Sequence, residues 1–154
     1  MRRYLLILSC SQRKRKDPGF LPAIERYDGV NFRVLRKLKR EDVWPDNLDV
    51  LIISAKYGLL KDSDGIEYYE QKMTRERAIE LQDSASEKLC AILRDKEYRE
   101  IFVNLGKSYL PVLGNGEALA DTKVIYASGG IGRKMAQMRE WIVTRRKYHE
   151  NNHH

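Results

Sequence analysis

The stretch "LIISAKYGLL", residues 51–60, decides the fold class of this chain. Its apolar start is typical of a strand buried on both faces, as in a parallel sheet. Ser54, Lys56 and Tyr57 then follow, just before Gly58, although a strand that only completes a core needs no such residues. Ligands bind to open parallel sheets beyond the carboxyl ends of the strands. The stretch therefore predicts one segment of a binding site at the end of a buried strand.

Further apolar runs alternate with amphipathic segments along the chain. The predicted strands are residues 4–9, 49–54, 101–105 and 123–127. The predicted helices, whose apolar residues recur every three or four positions, are residues 30–40, 74–95 and 131–146. This alternation predicts an α/β fold with a mainly parallel sheet of at least four strands flanked by helices.

The length of 154 residues predicts a single domain, which we place at residues 1–148. Residues 149–154 are expected to form a disordered polar tail, and its last two histidines are interpreted as the remnant of a purification tag. All three histidines of the chain lie in this tail, so the domain offers none for a Ser-His-Asp triad or a zinc site. The two cysteines, Cys10 and Cys90, favour neither a disulfide scaffold nor a CxxC metal site. We therefore expect no metal and no cofactor.

The chain is basic, with a formal net charge of +7 at pH 7. Residues 1–40 hold twelve Arg or Lys against three acidic residues, and residues 131–147 hold six against one. Two basic segments suggest a partner that carries phosphates, such as nucleic acid, although a solvated surface explains them equally well. No apolar run approaches the ~18 residues of a membrane helix, and no signal peptide is recognisable. We expect a cytoplasmic protein that does not bind membranes, and the oligomeric state stays open.

Polar, cationic or glycine residues follow each predicted strand. The candidate ligand-binding residues at these exits are Ser9, Cys10 and Lys14; Ser54, Lys56, Tyr57 and Gly58; Gly106, Lys107 and Tyr109; and Gly129, Gly130, Gly132 and Arg133. Because parallel strands end at the same edge of a sheet, we expect one cleft rich in hydroxyls, cations and glycine amides.

The stretch "ASGGIGRKM", residues 127–135, combines a strand end, a glycine-rich turn and a helix start. This arrangement points free backbone N–H groups at an anion, and Arg133 adds charge. It is neither a G-x-G-x-x-G fingerprint nor a P-loop. We expect an anion site here. The alternative is that Gly129 and Gly130 only make a tight turn and Gly132 only allows close packing.

The loop "CSQRKRK", residues 10–16, has two interpretations. Its cations form either a mobile arm that contacts nucleic-acid phosphates or a solvated loop. They are Arg13, Lys14, Arg15 and Lys16. The cysteine that opens the loop is either a small buried residue or a thiolate nucleophile stabilised by the cations.

The loop "KDSDGIEYYE", residues 61–70, supplies candidate catalytic carboxylates. Glu67, Glu70 or Asp62 would activate water or stabilise a cationic sugar, while Tyr57 or Tyr69 stacks on a base. The candidate catalytic residues are thus Glu67, Glu70 and Tyr57. The alternatives are a solvated acidic loop and tyrosines that only pack with a satisfied hydroxyl.

Several motifs together indicate a family. They are "LLILSCSQRK" (5–14), "RYDGVNF" (26–32), "LIISAKYGLL" (51–60), "YYEQKM" (68–73), "FVNLGKSYLP" (102–111) and "GGIGRKM" (129–135). Their order resembles the YaaA-like family of peroxide-stress proteins, and most closely its short uncharacterised relatives. The matching positions are Cys10, Lys14, Tyr27, residues 54–60, Tyr69, Gly106, Tyr109 and residues 130–132.

The resemblance implies an α/β core with its pocket at the carboxyl ends of the strands. It also implies a role in DNA binding and in limiting oxidative stress. The chain shows no clear counterpart of the helix-hairpin-helix insertion of the larger members, so duplex binding by that route is not implied.

We therefore expect a protein that acts on or binds nucleic acid or nucleotides, with a phosphate and base pocket at the strand ends. One alternative is an N-glycosidase or transferase-type enzyme acting on nucleosides or modified bases. Another is a non-catalytic module whose pocket holds a partner chain. The sequence does not decide between binding and catalysis.

Overall fold

The computed structural model describes residues 2–151, and the side chains of residues 2–146. The strands are β1 (Arg3–Ser9), β2 (Leu21–Pro22), β3 (Leu48–Ser54), β4 (Gly58–Lys61), β5 (Gly65–Ile66), β6 (Tyr98–Asn104) and β7 (Lys123–Tyr126). The helices are α1 (Ala23–Arg26), α2 (Val30–Arg40), α3 (Arg75–Asp95) and α4 (Ile131–Asn151). Two 3-10 turns, Leu110–Leu113 and Glu117–Leu119, lie between β6 and β7.

Five strands form the central sheet, in the order β4-β3-β1-β6-β7. β1 is parallel to both β3 and β6, and β6 is parallel to β7. β2 and β5 form a separate antiparallel pair. The predicted α/β fold is confirmed, but the sheet is mixed because β4 runs antiparallel to β3.

The antiparallel strand β4, which the sequence pattern does not predict, begins at Gly58. Gly58 has a φ of +75°, a conformation that glycine adopts without the steric cost of a Cβ. Ser54 pairs directly with Gly58, so the chain reverses tightly after β3. The Ser54 Oγ accepts hydrogen bonds from the N–H groups of Lys56 at 3.2 Å and Tyr57 at 3.1 Å. The serine at the end of the strand therefore satisfies the free donors of the turn.

Helices cover both faces of the central sheet. On one face, Leu6 and Leu8 of β1 belong to the core that includes residues of α2 and α4. On the other face, Leu5 and Ile7 belong to the core that includes residues of α3. All four side chains are completely buried. Burial on both faces explains why the strand is apolar without alternation.

The helix boundaries lie close to the predicted ones. α2 spans the predicted range, and α3 begins one residue after Thr74, whose Oγ1 accepts a hydrogen bond from the Arg77 N–H at 3.1 Å. The backbone of α4 is helical through Asn151. The predicted polar tail, 149–154, falls outside the residues whose side chains are described, and its last three residues fall outside the described chain altogether.

A completely buried arginine, Arg26, ties the basic loop after β1 to β5. Its Nη1 donates to the carbonyls of Arg15 and Asp17, both at 2.8 Å. Its Nη2 donates to the carbonyl of Gly19 at 2.7 Å, and Nε and Nη2 both donate to the carbonyl of Ile66. Backbone carbonyls from the basic loop and from β5 thus solvate the buried guanidinium, which fixes the position of the loop relative to the strand.

Replacement of Arg26 by methionine should destabilise the fold strongly. The Arg26→Met variant leaves buried carbonyls without donors, and we expect it to lose roughly 3 kcal/mol or more of the free energy of unfolding in urea titrations. The matched control is Arg33→Met, because Arg33 pairs with Asp28 on the surface and such exposed pairs contribute about 1 kcal/mol or less. Equal losses in the two variants would contradict the role given to Arg26.

A second buried polar residue, Glu100, joins β6 to α4. Its Oε1 accepts hydrogen bonds from Trp141 Nε1 at 2.6 Å and from Arg145 Nη1 at 2.8 Å. Lys123 Nζ of β7 lies 3.2 Å from Oε2. Burial alone would raise the pKa of Glu100, but the hydrogen bonds of Trp141 and Lys123 and the nearby positive charges outweigh it. The net effect is a pKa below the usual value for glutamate.

The stability of the protein should therefore fall in acid. A carboxyl group whose pKa is lower in the folded state stabilises the fold above its unfolded pKa, about 4.3 for glutamate. This contribution is lost as the pH falls through the folded value, so the urea midpoint should drop below about pH 4. A Glu100→Gln variant should show a shallower decline between neutral and acidic pH. The exposed Glu97→Gln variant is the control and should follow the wild type.

Candidate functional site

The carboxyl ends of the four parallel strands lie side by side. Ser9 pairs with Ile53, Leu8 with Asn104, and Val103 with Tyr126. The chain leaves the sheet here at four neighbouring points, which are Ser9, Ser54, Asn104 and Ala127. We call this region the carboxyl edge.

Tyrosine side chains from distant segments meet at the carboxyl edge. The hydroxyl of Tyr69 lies 2.6 Å from the hydroxyl of Tyr27 and 2.9 Å from Ser54 Oγ. The hydroxyl of Tyr109 lies 3.1 Å from Cys10 Sγ. We call these five residues the tyrosine cluster. Every member except Tyr109 is buried, so the cluster forms a preorganised polar floor at the ends of β1 and β3.

The phenols of the cluster are proton donors at neutral pH. Burial raises the pKa of Tyr27, Tyr69 and Tyr109 above the usual value for tyrosine, and the charge of a Cys10 thiolate would raise each of them further. None of these three hydroxyls therefore serves as a base. They can donate hydrogen bonds to each other or to an acceptor that enters the site.

Two lysines lie over the cluster. Lys14 Nζ lies 4.5 Å from the ring centroid of Tyr69, and Lys56 Nζ lies 5.8 Å from the same centroid. Both distances allow a cation–π attraction. Lys56 also lies 5.2 Å from the ring of Tyr57, which packs edge-on against Tyr69 with centroids 5.5 Å apart. Burial lowers the pKa of Lys14, whereas Cys10 and Glu70 oppose this shift.

Beside the cluster, a cavity of about 410 Å³ opens at the exits of β1, β6 and β7. Its lining residues are Ser9, Asn31, Asn104, Gly106, Lys107, Gly129, Gly130, Ile131 and Lys134. We call it the glycine cavity. The first turns of α2 and α4 border it, through Asn31 and Ile131. The free N–H groups at the start of α4 make this side of the cavity electropositive.

The glycines of the turn before α4 have different roles. Gly129 has a φ of +93°, and a Cβ built there would lie 2.6 Å from Arg133 Cδ, so this position needs glycine. A Cβ at Gly130 or Gly132 would meet no atom within 4 Å. Gly130 lines the cavity, whereas Gly132 is an exposed residue of the first helical turn. The space at Gly130 is therefore open to a ligand.

The lysines around the carboxyl edge lack acidic partners. Among the residues whose side chains are described, no carboxylate lies within 4.0 Å of Lys14, Lys56, Lys107 or Lys134. Lys134 and Lys14 instead donate to the backbone carbonyls of Leu105 and Gln12. Some lysines elsewhere form ion pairs, and they are Lys37, Lys88, Lys96 and Lys123, whereas the exposed Lys16, Lys61 and Lys72 have no carboxylate within 4.0 Å among the described residues. The positive charge at the carboxyl edge is not compensated by an ion pair to a described residue.

Several predicted site residues lie apart from the cluster and the cavity. In the predicted arm, Arg15 pairs with Asp17, Arg13 lies 3.7 Å from Asp28, and Lys16 is exposed. This arm is anchored to the domain, because its residue Lys14 forms a β-bridge with Tyr27 and Arg26 binds its carbonyls. Glu67 is exposed, Glu70 accepts a hydrogen bond from Tyr68 at 2.7 Å, and Gly58 shapes the turn into β4.

Four residues of the glycine cavity are absent from the predicted ligand-binding set. They are Asn31, Asn104, Ile131 and Lys134. Asn104 and Lys134 each carried a sequence signal for a place in this set, because Asn104 lies at a strand end and Lys134 at a helix start. Asn31 carried no such signal, because it lies inside a predicted helix, and its buried Oδ1 has no hydrogen-bond partner among the described residues.

Removal of the Tyr69 hydroxyl should destabilise the fold, whereas removal of the Tyr68 hydroxyl should not. In Tyr69→Phe, the buried hydroxyls of Tyr27 and Ser54 lose their shared partner, and we expect the variant to lose about 1–3 kcal/mol of unfolding free energy. Tyr68 contacts only the exposed Glu70 through its hydroxyl, so Tyr68→Phe should stay within about 0.5 kcal/mol of wild type. Urea unfolding measures both. An unchanged midpoint for Tyr69→Phe would show that the hydroxyl chain does not hold the cluster together.

Among the residues whose side chains the structure describes, no group of three or more His, Cys, Asp or Glu side chains is placed to hold a metal ion. No helix in the described part of the chain is long and apolar enough to cross a membrane.

Comparisons with known proteins give the family and the fold. No curated protein matches the chain. The crystal structure of AF0587, a protein of unknown function, is similar with a TM-score of 0.54 at 14% sequence identity. The match covers 92% of this chain but only 44% of AF0587, so the chain spans less than half of that protein's length. The model of DUF6884, a family of unknown function, matches residues 5–140. This match covers most of the sequence, and the chain therefore belongs to the DUF6884 family.

Proposed function

We propose that the protein binds nucleotides, either free or as units of a nucleic acid, at the carboxyl edge. The observation that carries this proposal is the set of four lysines without acidic partners at the carboxyl edge. Lys107 and Lys134 line the open cavity, and Lys14 and Lys56 lie over the tyrosine cluster. Unpaired cations beside free helix N–H groups favour a phosphorylated ligand. The adjoining tyrosines favour a ligand that also carries a planar ring.

The glycine cavity suits the phosphate. Gly130 and the first turn of α4 present backbone N–H groups, and Lys107 and Lys134 supply positive charge. Glycine at position 130 allows a ligand to approach the backbone closely, since no side chain occupies that space. The base then lies toward Tyr57, which is 38% exposed, whereas Tyr69 is buried and its ring lies beneath Lys14 and Lys56.

The resemblance to YaaA-like proteins supports the same proposal. Six of the positions that carry the resemblance contribute to the tyrosine cluster or lie over it, and they are Cys10, Lys14, Tyr27, Ser54, Tyr69 and Tyr109. A shared polar floor of this kind favours a ligand class shared with that family, namely nucleic acid or its building blocks.

A second candidate is an N-glycosidase or transferase-type enzyme on nucleosides or modified bases. One observation favours this candidate. Burial lowers the pKa of Lys14, and the Glu70 carboxylate lies close enough for its charge to oppose this shift. Groups with shifted pKa values often take part in proton transfer. This candidate predicts that free base is released from a nucleoside or modified nucleotide, and that Glu70→Gln abolishes the release while nucleotide binding is retained.

A methyl group added inside the glycine cavity should block nucleotide binding. Isothermal titration with the common nucleoside monophosphates measures the affinity of the wild type, Gly130→Ala and Gly132→Ala. Both alanines fit without a clash in the protein, but only position 130 lines the cavity. We expect Gly130→Ala to weaken binding about tenfold or more, as an extra methyl in a fitted pocket does. Gly132→Ala should bind like the wild type.

Two results would contradict the proposal. One is a wild-type protein that binds none of the nucleotides. The other is equal affinity in all three proteins, which would place the ligand elsewhere.

A further inference from the structure

Exposed apolar side chains surround the carboxyl edge. Val30, the first residue of α2, is 47% exposed, and the next residue, Asn31, lines the glycine cavity. Ile131, the first residue of α4, is 75% exposed and itself lines the cavity. Tyr57, in the turn after β3, is 38% exposed, and Leu110, which follows the Tyr109 of the cluster, is 39% exposed. Single exposed apolar residues are ordinary, but several around one polar site indicate a contact surface.

The positive charge at this edge exceeds what one phosphate requires. Lys14 and Lys56 lie at the tyrosine cluster, and Lys107 and Lys134 lie at the glycine cavity. A single phosphate in the cavity would leave the first two lysines unsatisfied. A polymer with a phosphate at each unit neutralises both pairs, and its bases cover the exposed apolar side chains.

The loop that carries Lys14 is anchored to the domain. Arg26 holds the carbonyls of Arg15, Asp17 and Gly19, and the backbone of Arg13 accepts a hydrogen bond from the Asp28 N–H at 2.9 Å. The backbone around Lys14 is therefore preorganised, which lowers the entropic cost of binding an extended ligand.

The position of the base distinguishes a single strand from a duplex. With the phosphate in the glycine cavity, the base lies toward Tyr57, which is 38% exposed and packs against Tyr69. A nucleotide held in a duplex keeps its base stacked and paired, so its base contacts Tyr57 only after it leaves the helix. An unpaired nucleotide enters without that cost.

We infer that the ligand is a single strand of nucleic acid, with one nucleotide inserted at the carboxyl edge and its neighbours lying across Lys14, Lys56 and the exposed apolar side chains. This inference rests on the proposed nucleotide binding and specifies its ligand. DNA and RNA share the chemistry that the site would recognise, and the experiment below compares both.

Fluorescence anisotropy with labelled oligonucleotides of about twelve units tests the inference. The arms are single-stranded DNA, single-stranded RNA, the DNA duplex, and an acidic peptide of matched charge; unlabelled nucleoside monophosphates are the competitors. We expect a single strand to bind at least about tenfold more tightly than a mononucleotide or the duplex, because more phosphates and bases are engaged. Gly130→Ala should weaken this binding, and Gly132→Ala should not.

The salt dependence identifies the lysines that contact the backbone. For a single strand, the slope of log affinity against log salt changes by roughly 0.7 for each phosphate contact. Lys56→Gln should reduce the slope by about this amount. The matched control is Lys37→Gln, because Lys37 pairs with Glu41 on the outer side of α2, and its slope should equal that of the wild type.

The outcomes separate this inference from the proposed function. If mononucleotides bind in a manner sensitive to Gly130→Ala but a strand binds no better, the inference is wrong and the proposed function stands. If the duplex or the acidic peptide binds as tightly as the single strand, the inference is also wrong. If neither strands nor mononucleotides bind, both proposals fail.

Discussion

The hydroxyl of Tyr69 is the contact on which the candidate site depends. It joins Ser54, at the end of β3, to Tyr27, just before α2. The same ring packs against Tyr57 and lies beneath Lys14. One buried phenol therefore sets the relative positions of segments that are far apart in the sequence. Its burial also keeps it protonated, so the link does not vary over the neutral pH range.

Charge is distributed unequally between the two ends of the sheet. Near the start of β3, Asp49 pairs with Arg3, and near the start of β6, Glu100 binds Arg145. At the carboxyl edge the corresponding polar residues are serines, asparagines and tyrosines, which bear no charge. Asp49 and Glu100 each pair with two cations at the first end, whereas the four lysines at the carboxyl edge have no carboxylate partner among the described residues.

The sequence was sufficient for some features and silent on others. Buried strands were predictable, because only strands covered on both faces are apolar without alternation. Strand β4 was missed, since a short apolar run after Gly58 has no periodicity that separates it from a loop. Arg26 was also missed: an arginine in a charged segment looks solvated until the fold brings distant carbonyls to it. Adjacent tyrosines at positions 68 and 69 differ only in the direction they face, which tertiary packing decides.

The tight reversal between β3 and β4 limits how this part of the protein can change. Leu59 packs in the core on the α3 side, whereas Leu60 packs in the core on the α2 and α4 side. One residue inserted between Ser54 and Gly58 would exchange their faces and shift β4 out of register. Length variation within the family is therefore expected after β6 and before α4, where no strand pairing depends on the count. New ligand preferences would arise from those loops, while the serine and lysine of the reversal keep their spacing.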